Sequence, residues 1–208
     1  MNILIADDHT IVRKGIRQIL MEEFSDAFIE EVADGNEMLN KIRNEKFDIV
    51  ISDISMPGRS GLESLKQVKE EFPKLPVLIL SMYSEDQYAI RVLKAGASGY
   101  LTKDSAPEEL VKAVKQIVST GRYISLTVAD KLAENINQNS SEQLHESLSD
   151  REFEVLKMIG SGKTVSEIAQ ILSLSVNTIS TYRVRILEKT KLHSNSEVMH
   201  YVLENKLV

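Results

Sequence analysis

The chain has 208 residues, an ordinary apolar fraction of 42% and no cysteine, so it can bury one large core or two modest ones but can carry no disulfide, thiolate zinc site or cysteine nucleophile. No apolar run approaches the roughly 20 residues of a membrane span, and the N-terminus opens into a strand-like segment without a basic signal region, so a cytoplasmic protein with no membrane partner is expected. The net charge of −6 excludes a surface that coats nucleic acid throughout, but from Leu148 onward eight Lys/Arg oppose seven Asp/Glu, giving +1 there against −7 for the remainder.

Short apolar runs at residues 3–6, 28–32, 47–51, 77–80 and 99–101 alternate with amphipathic stretches. Five strands are the simplest reading, and three of them are continuous hydrophobic runs, as expected when helices cover both faces of a parallel sheet. The intervening helices begin near Ile11, Gly35, Gly61, Glu85 and Ala106, the last with Ser105 as cap, Pro107 in the first turn and Glu108 three residues after the cap. The class is therefore α/β. A short helix at 128–136 runs into the polar, turn-rich segment 137–142, which reads as linker.

Beyond the linker only helical patterns remain. Ser149 and Glu152 form a capping box for a helix over 150–159, and Gly160-Ser161-Gly162 ends it. A helix over 165–172, a tight turn at 173–175, a longer helix over 176–189 and a last one near 196–204 complete a small all-α domain. Ser175 caps the longer helix, with Val176, Ile179 and Ile186 as its buried stripe.

Ligands of an open parallel sheet bind beyond the carboxyl ends of its strands, where strand order reverses. Asp7 and Asp8 end the first strand, Asp53 ends the third, Ser81 ends the fourth and Lys103 follows the fifth. Singly each has an ordinary use, as a loop residue, a helix cap or a surface lysine. Together they place three carboxylates, a hydroxyl and an ammonium at one end. Clustered carboxylates suit a hard divalent cation such as Mg²⁺, and with their repulsion offset one of them, Asp53, could attack a phosphoryl group.

Asp7-Asp8-His9, the run from Ser52 through Asp53 to Pro57-Gly58, Leu80-Ser81 and Gly99-Tyr100-Leu101-Thr102-Lys103 resemble the receiver domains of two-component signalling, over residues 1–121. The resemblance implies a flavodoxin-like fold, Asp53 as phosphoacceptor, and Mg²⁺ held by Asp8, Asp53 and the backbone carbonyl of Ser55, with Asp7 acting through water. It further implies that Ser81 and Lys103 contact the phosphoryl oxygens and that Tyr100 turns inward as a switch; taken alone, Tyr100 is a half-buried strand aromatic. His9 reads as helix-start decoration. Asp104 stands where many receivers carry proline.

Between Val176 and Leu192, Arg183, Arg185, Lys189 and Lys191 oppose Glu188 alone, a local +3, and any DNA contact belongs there. Two helices joined by a brief turn, the second basic, match a helix-turn-helix. The runs 148–156, 162–169 and 175–179 resemble LuxR-type output domains of the NarL/FixJ family, with 122–147 as a partly helical linker and 148–208 as the output domain. That resemblance implies a recognition helix in the major groove, with Ser180 and Thr181 nearest the bases and Lys163, Asn177, Thr178, Arg183 and Arg185 on phosphates; Tyr182 stands where many members have histidine. The implied protein is a transcription regulator, phosphorylated by a sensor histidine kinase, that binds double-stranded promoter DNA as a homodimer and is no enzyme beyond its own phosphorylation and dephosphorylation. The rival reading, an aspartyl-nucleophile phosphatase, fits less well because Ser55 occupies the place of its usual second aspartate. A DNA binder indifferent to phosphorylation is a third reading, against which the intact pocket counts.

Overall fold

The computed structural model describes residues 1–56, 61–83, 85–137, 144–205 and 207. Pro57, Gly58 and linker residues 138–143 lie outside the described residues. The chain divides into two compact units, Met1–Asn137 and Gln138–Val208.

The first unit is a parallel sheet of β1 (Asn2–Ala6), β2 (Phe28–Val32), β3 (Ile49–Asp53), β4 (Val77–Ser81) and β5 (Gly99–Thr102), in the order β2-β1-β3-β4-β5. β3 and β4 are buried along their whole length, and the edge strand β2 is only partly covered, which explains why the inner strands read as unbroken apolar runs. On one face Ile3, Ile5, Ile49, Ile51, Leu78 and Leu80 pack with Ile16 and Leu20 of α1 (Thr10–Glu23) and with Leu110, Val114 and Ile117 of α5 (Pro107–Thr120). The alternate residues face the other side, where α2 (Gly35–Asn44), α3 (Gly61–Glu71) and α4 (Glu85–Lys94) lie.

Local chemistry sets some of these boundaries. The Asp34 carboxylate accepts from the backbone N–H groups of Asn36 and Glu37, at 2.8 and 3.0 Å, and starts α2. Ser105 does not cap α5 as expected: Ala106 holds the N-cap position without a side-chain bond, and the Ser105 hydroxyl pairs with that of Thr102 at 3.0 Å. Pro107, with no N–H to satisfy, begins the helix without that cap. The helix expected inside the linker forms as α6 (Leu126–Asn137) and packs on α4.

The second unit comprises a 3₁₀ turn (Leu144–Ser147) and α7 (Asp150–Gly160), α8 (Val165–Ile171), α9 (Val176–Thr190) and α10 (Asn195–Glu204). The capping box is present at both ends: the Glu152 N–H donates to Ser149 Oγ, and the Ser149 N–H donates to Glu152 Oε2 at 2.8 Å. Lys189 of α9 also donates to Glu152 Oε2, at 2.6 Å, tying α9 to α7. A Cβ on Gly160 would lie 2.5 Å from Val202 Cγ1, so glycine is what lets the end of α7 meet α10.

Candidate functional site

Parallel pairing aligns Ala6 with Ser52, Asp53 with Leu80 and Ser81 with Thr102. The residues that follow β1, β3, β4 and β5 therefore emerge at one edge, and the order of strands reverses between β1 and β3. Asp7, Asp53 and Ser81 are buried there, whereas Asp8 and His9 are exposed. Lys103 Nζ donates to Asp53 Oδ2 at 2.7 Å and lies 2.6 Å from Asp7 Oδ2 as an ion pair, without hydrogen-bond angles to that atom.

Burial raises the Asp53 carboxyl above the ordinary aspartate range, with Asp7 adding to the rise and Lys103 offsetting part of it. Burial acts to lower the Lys103 ammonium, but Asp53 and Asp7 outweigh it and hold the group above its usual value. The lysine thus stays charged inside the fold because two carboxylates face it. The Ser55 N–H donates to Asp53 Oδ1 at 3.2 Å, which fixes the other carboxylate oxygen.

One ligand atom each from Asp7, Asp8, His9 and Asp53 lies within 4.8 Å of all the others. Three carboxylates are hard oxygen donors, and Asp7 Oδ2 is a buried acceptor that receives no hydrogen bond; this donor set fits a hard divalent cation. His9 belongs to the cluster geometrically: its Nδ1 lies 2.7 Å from Asp8 Oδ1 and its N–H donates to Asp7 Oδ1 at 2.8 Å. It does not cap α1 through its side chain.

Ser81 and Tyr100 are connected through a residue that sequence reasoning did not single out. The Tyr83 N–H donates to Ser81 Oγ at 3.1 Å, and the buried Tyr100 hydroxyl donates to the Tyr83 carbonyl at 2.7 Å. The Tyr83 ring also stacks on Tyr88 of α4, centroids 4.8 Å apart. Gly61 was likewise not foreseen as a site residue: a Cβ there would stand 1.8 Å from the Asp53 carbonyl oxygen. Asp104 follows Lys103 with its carboxyl held low by Thr102, and no cis peptide bond occurs among the described residues.

In the second unit, α8 ends in a Schellman motif: Leu174 N–H donates to the Ala169 carbonyl and Ser173 N–H to that of Gln170, with Ser173 left-handed at φ 54°. This turn hands the chain to α9, where Ser175 Oγ accepts from Thr178 N–H at 3.0 Å. Ile179, Ile186 and Thr190 are buried. Val176, expected in that stripe, is instead 48% exposed, because the first residue of the helix lies at the rim of the packed face.

Asn177, Ser180, Thr181 and Arg185 are exposed on α9 and Lys163 is exposed before α8, while Thr178 and Arg183 are half-buried. Arg183 Nε donates to Asn195 Oδ1 at 2.6 Å, a link from α9 to the first residue of α10. Val184, which carries no polar signal in the sequence, is also exposed.

Residues 3–115 match the family described as response regulator receiver domain, and residues 146–202 match the bacterial regulatory proteins of the luxR family. Response regulator UvrY of Escherichia coli (strain K12) is 34% identical over 208 residues, covering 100% of this chain and 95% of that protein. The chain is a response regulator of the NarL/FixJ family. This response regulator is also 36% identical to the oxygen regulatory protein NreC of Staphylococcus carnosus (strain TM300) over 215 residues, 100% of its own length and 99% of the relative's. Among solved structures it resembles RcsB from Salmonella enterica serovar Typhimurium bound to promoter P1flhDC in the presence of phosphomimetic BeF3-, at 30% identity and TM-score 0.65, covering 98% of each chain. A response regulator with these two parts is a phosphorylation-controlled, DNA-binding transcription regulator, and the family is one of regulators rather than enzymes. Its receiver implies a histidine kinase as partner, and its LuxR-type part binds promoter DNA. No helix among the described residues is long and apolar enough to cross a membrane.

Proposed function

We propose that Asp53 is the phosphoacceptor, that residues 1–121 act as the receiver and 148–208 as the DNA-binding domain, and that 122–147 serve as a partly helical linker. The observation that carries this reading is the buried triad of Asp53, Asp7 and Lys103 at the switch point between β1 and β3. A carboxylate is kept there against its own desolvation, next to the cation that a phosphoryl group would need.

One Asp53 carboxylate oxygen attacks the phosphorus of a phosphohistidine on the sensor kinase; the P–N bond breaks, the imidazole leaves and takes up a proton, and an aspartyl-phosphate forms. Lys103, already 2.7 Å from Asp53 Oδ2, pairs with a phosphoryl oxygen of the product, and the Ser81 hydroxyl donates to another. Asp8, Asp53 and the Ser55 carbonyl, with Asp7 through water, would hold Mg²⁺, which supplies charge neutralisation at the phosphoryl group. Ser81 cannot move without altering its bond from Tyr83 N–H, and the Tyr83 carbonyl holds the Tyr100 hydroxyl. That relay gives the α4 and β5 face a reason to respond.

On the DNA side, α9 enters the major groove with Ser180 and Thr181 toward the bases, while Lys163, Asn177, Thr178, Arg183 and Arg185 meet phosphates. The regulator works in the cytoplasm as a homodimer when phosphorylated or DNA-bound, because paired half-sites reward a two-fold protein. Intact-mass measurement after treatment with acetyl phosphate and Mg²⁺ tests the central assignment. One added phosphoryl group is expected on the wild type and none on Asp53→Asn; a variant labelled like the wild type would remove Asp53 from this role.

A further inference from the structure

Val184 lies in the middle of α9, on the side turned away from the core. The buried residues Ile179, Ile186 and Thr190 recur at i, i+7 and i+11 and define the inward face. Asn177, Thr181, Val184 and Glu188 recur at i, i+4, i+7 and i+11, form the opposite stripe, and are all exposed. Val184 keeps 49% of its surface in water, one turn after Thr181 and one turn before Glu188.

A lone exposed valine is ordinary on a protein surface, but the neighbours of this one matter. Lys189 is engaged by Glu152 and Arg183 by Asn195, off the outward stripe. The Thr181 hydroxyl donates back to the Asn177 carbonyl at 2.9 Å, which leaves its methyl as the part of the side chain not tied to the backbone. The centre of the outward face, before Glu188, is therefore a narrow uncharged strip of amide and aliphatic groups, with the exposed Arg185 at its flank. That composition suits base edges, since phosphates call for cations. The apolar group that a base pair presents in the major groove is the C5-methyl of thymine.

We propose that Val184 is a specificity-determining residue that packs its methyl groups against a thymine C5-methyl, so that the regulator requires thymine at one position of each half-site. The proposal rests on α9 entering the major groove as described above. Full-length protein treated with acetyl phosphate and Mg²⁺ is used to select duplexes from a random-sequence pool, and each thymine of the recovered site is then replaced singly by deoxyuridine, which removes only the methyl.

Wild type is expected to lose affinity about fourfold at one thymine per half-site, the worth of one buried methyl. Val184→Ala is expected to bind the thymine duplex more weakly by a similar factor and to be indifferent to the uracil. Val184 is exposed and alanine favours helix, so the variant keeps its melting temperature. The proposal is overturned if every uracil duplex binds wild type unchanged, if Val184→Ala keeps the wild-type uracil penalty, or if no sequence is enriched. Thr181→Ala separates the two levels: if neither it nor Val184→Ala alters binding to the selected duplex, the placement of α9 in the groove falls as well. If only Thr181→Ala does, the groove reading stands and the role of Val184 falls.

Discussion

Asp53 is raised above the ordinary aspartate range by burial and by Asp7, and restrained by Lys103, which bears on the stability of the first unit. A folded-state value above the unfolded one favours folding below the unfolded value, about 3.9, and that advantage is lost as pH rises through the folded value. At neutral pH the metal-free carboxylate therefore weakens the first unit. Asp53→Asn, close in shape to the protonated acid, is expected to melt above wild type in chelator, whereas Mg²⁺ should raise the wild-type midpoint and leave that of the variant nearly unchanged. Thermal unfolding with chelator and with Mg²⁺ checks both; a variant that melts below wild type in chelator would contradict the sign. The gathering of Asp7, Asp8, Asp53, Ser81 and Lys103 was legible in the sequence because parallel strands deliver their carboxyl ends to one edge. Gly61 and the Tyr83 relay were not legible, since both depend on how closely one backbone approaches another. Val184 was hidden for a different reason: a valine in an amphipathic helix is ordinarily assigned to the core.

Helix termini account for much of the second unit. Burial works to raise the Glu152 carboxyl, but Lys189 and Ser149 outweigh it and hold the group below the ordinary range. A depressed folded-state value gives stability that is present above the unfolded value, about 4.3, and lost as pH falls through the folded one. Acidification below about pH 4 should therefore weaken the tie between α7 and α9. Glu152→Gln is expected to lower the melting temperature at pH 6 and to flatten its decline toward pH 3, which circular dichroism on wild type and variant would read. At the other end of α8, Ser173 occupies a left-handed position that favours glycine. Ser173→Gly should stabilise the unit by up to about 1 kcal/mol; a fall in melting temperature would mean that its side chain makes a contact worth more than the backbone strain. The capping box over Ser149 and Glu152 could be read directly from residue spacing, because it is a contact within one turn. The cap on α5 was misread, since Ser105 has a nearer partner in Thr102, and hydroxyl partners from a preceding strand end leave no spacing signal.

The whole molecule keeps its charge where its partners need it. The first unit gathers buried carboxylates around one lysine, and the second carries Lys163, Arg183 and Arg185 in a chain of net charge −6. Such a division suits a switch, because a phosphoryl group added at Asp53 changes the charge of one unit while the DNA contacts sit in the other. The two-part organisation was legible from the end of strand signals at about Leu126 and the polar, turn-rich segment 137–142 that follows. The helix inside the expected linker, by contrast, packs with the first unit through α4, a tertiary preference that local composition does not encode. Duplex affinity and self-association of the full-length protein, measured before and after acetyl phosphate with Mg²⁺ and in parallel on Asp53→Asn, test the switch most directly. Phosphorylation is predicted to tighten DNA binding and promote dimers in the wild type and to change neither in the variant. Wild type that carries phosphate on Asp53 yet binds and associates as before would contradict the account.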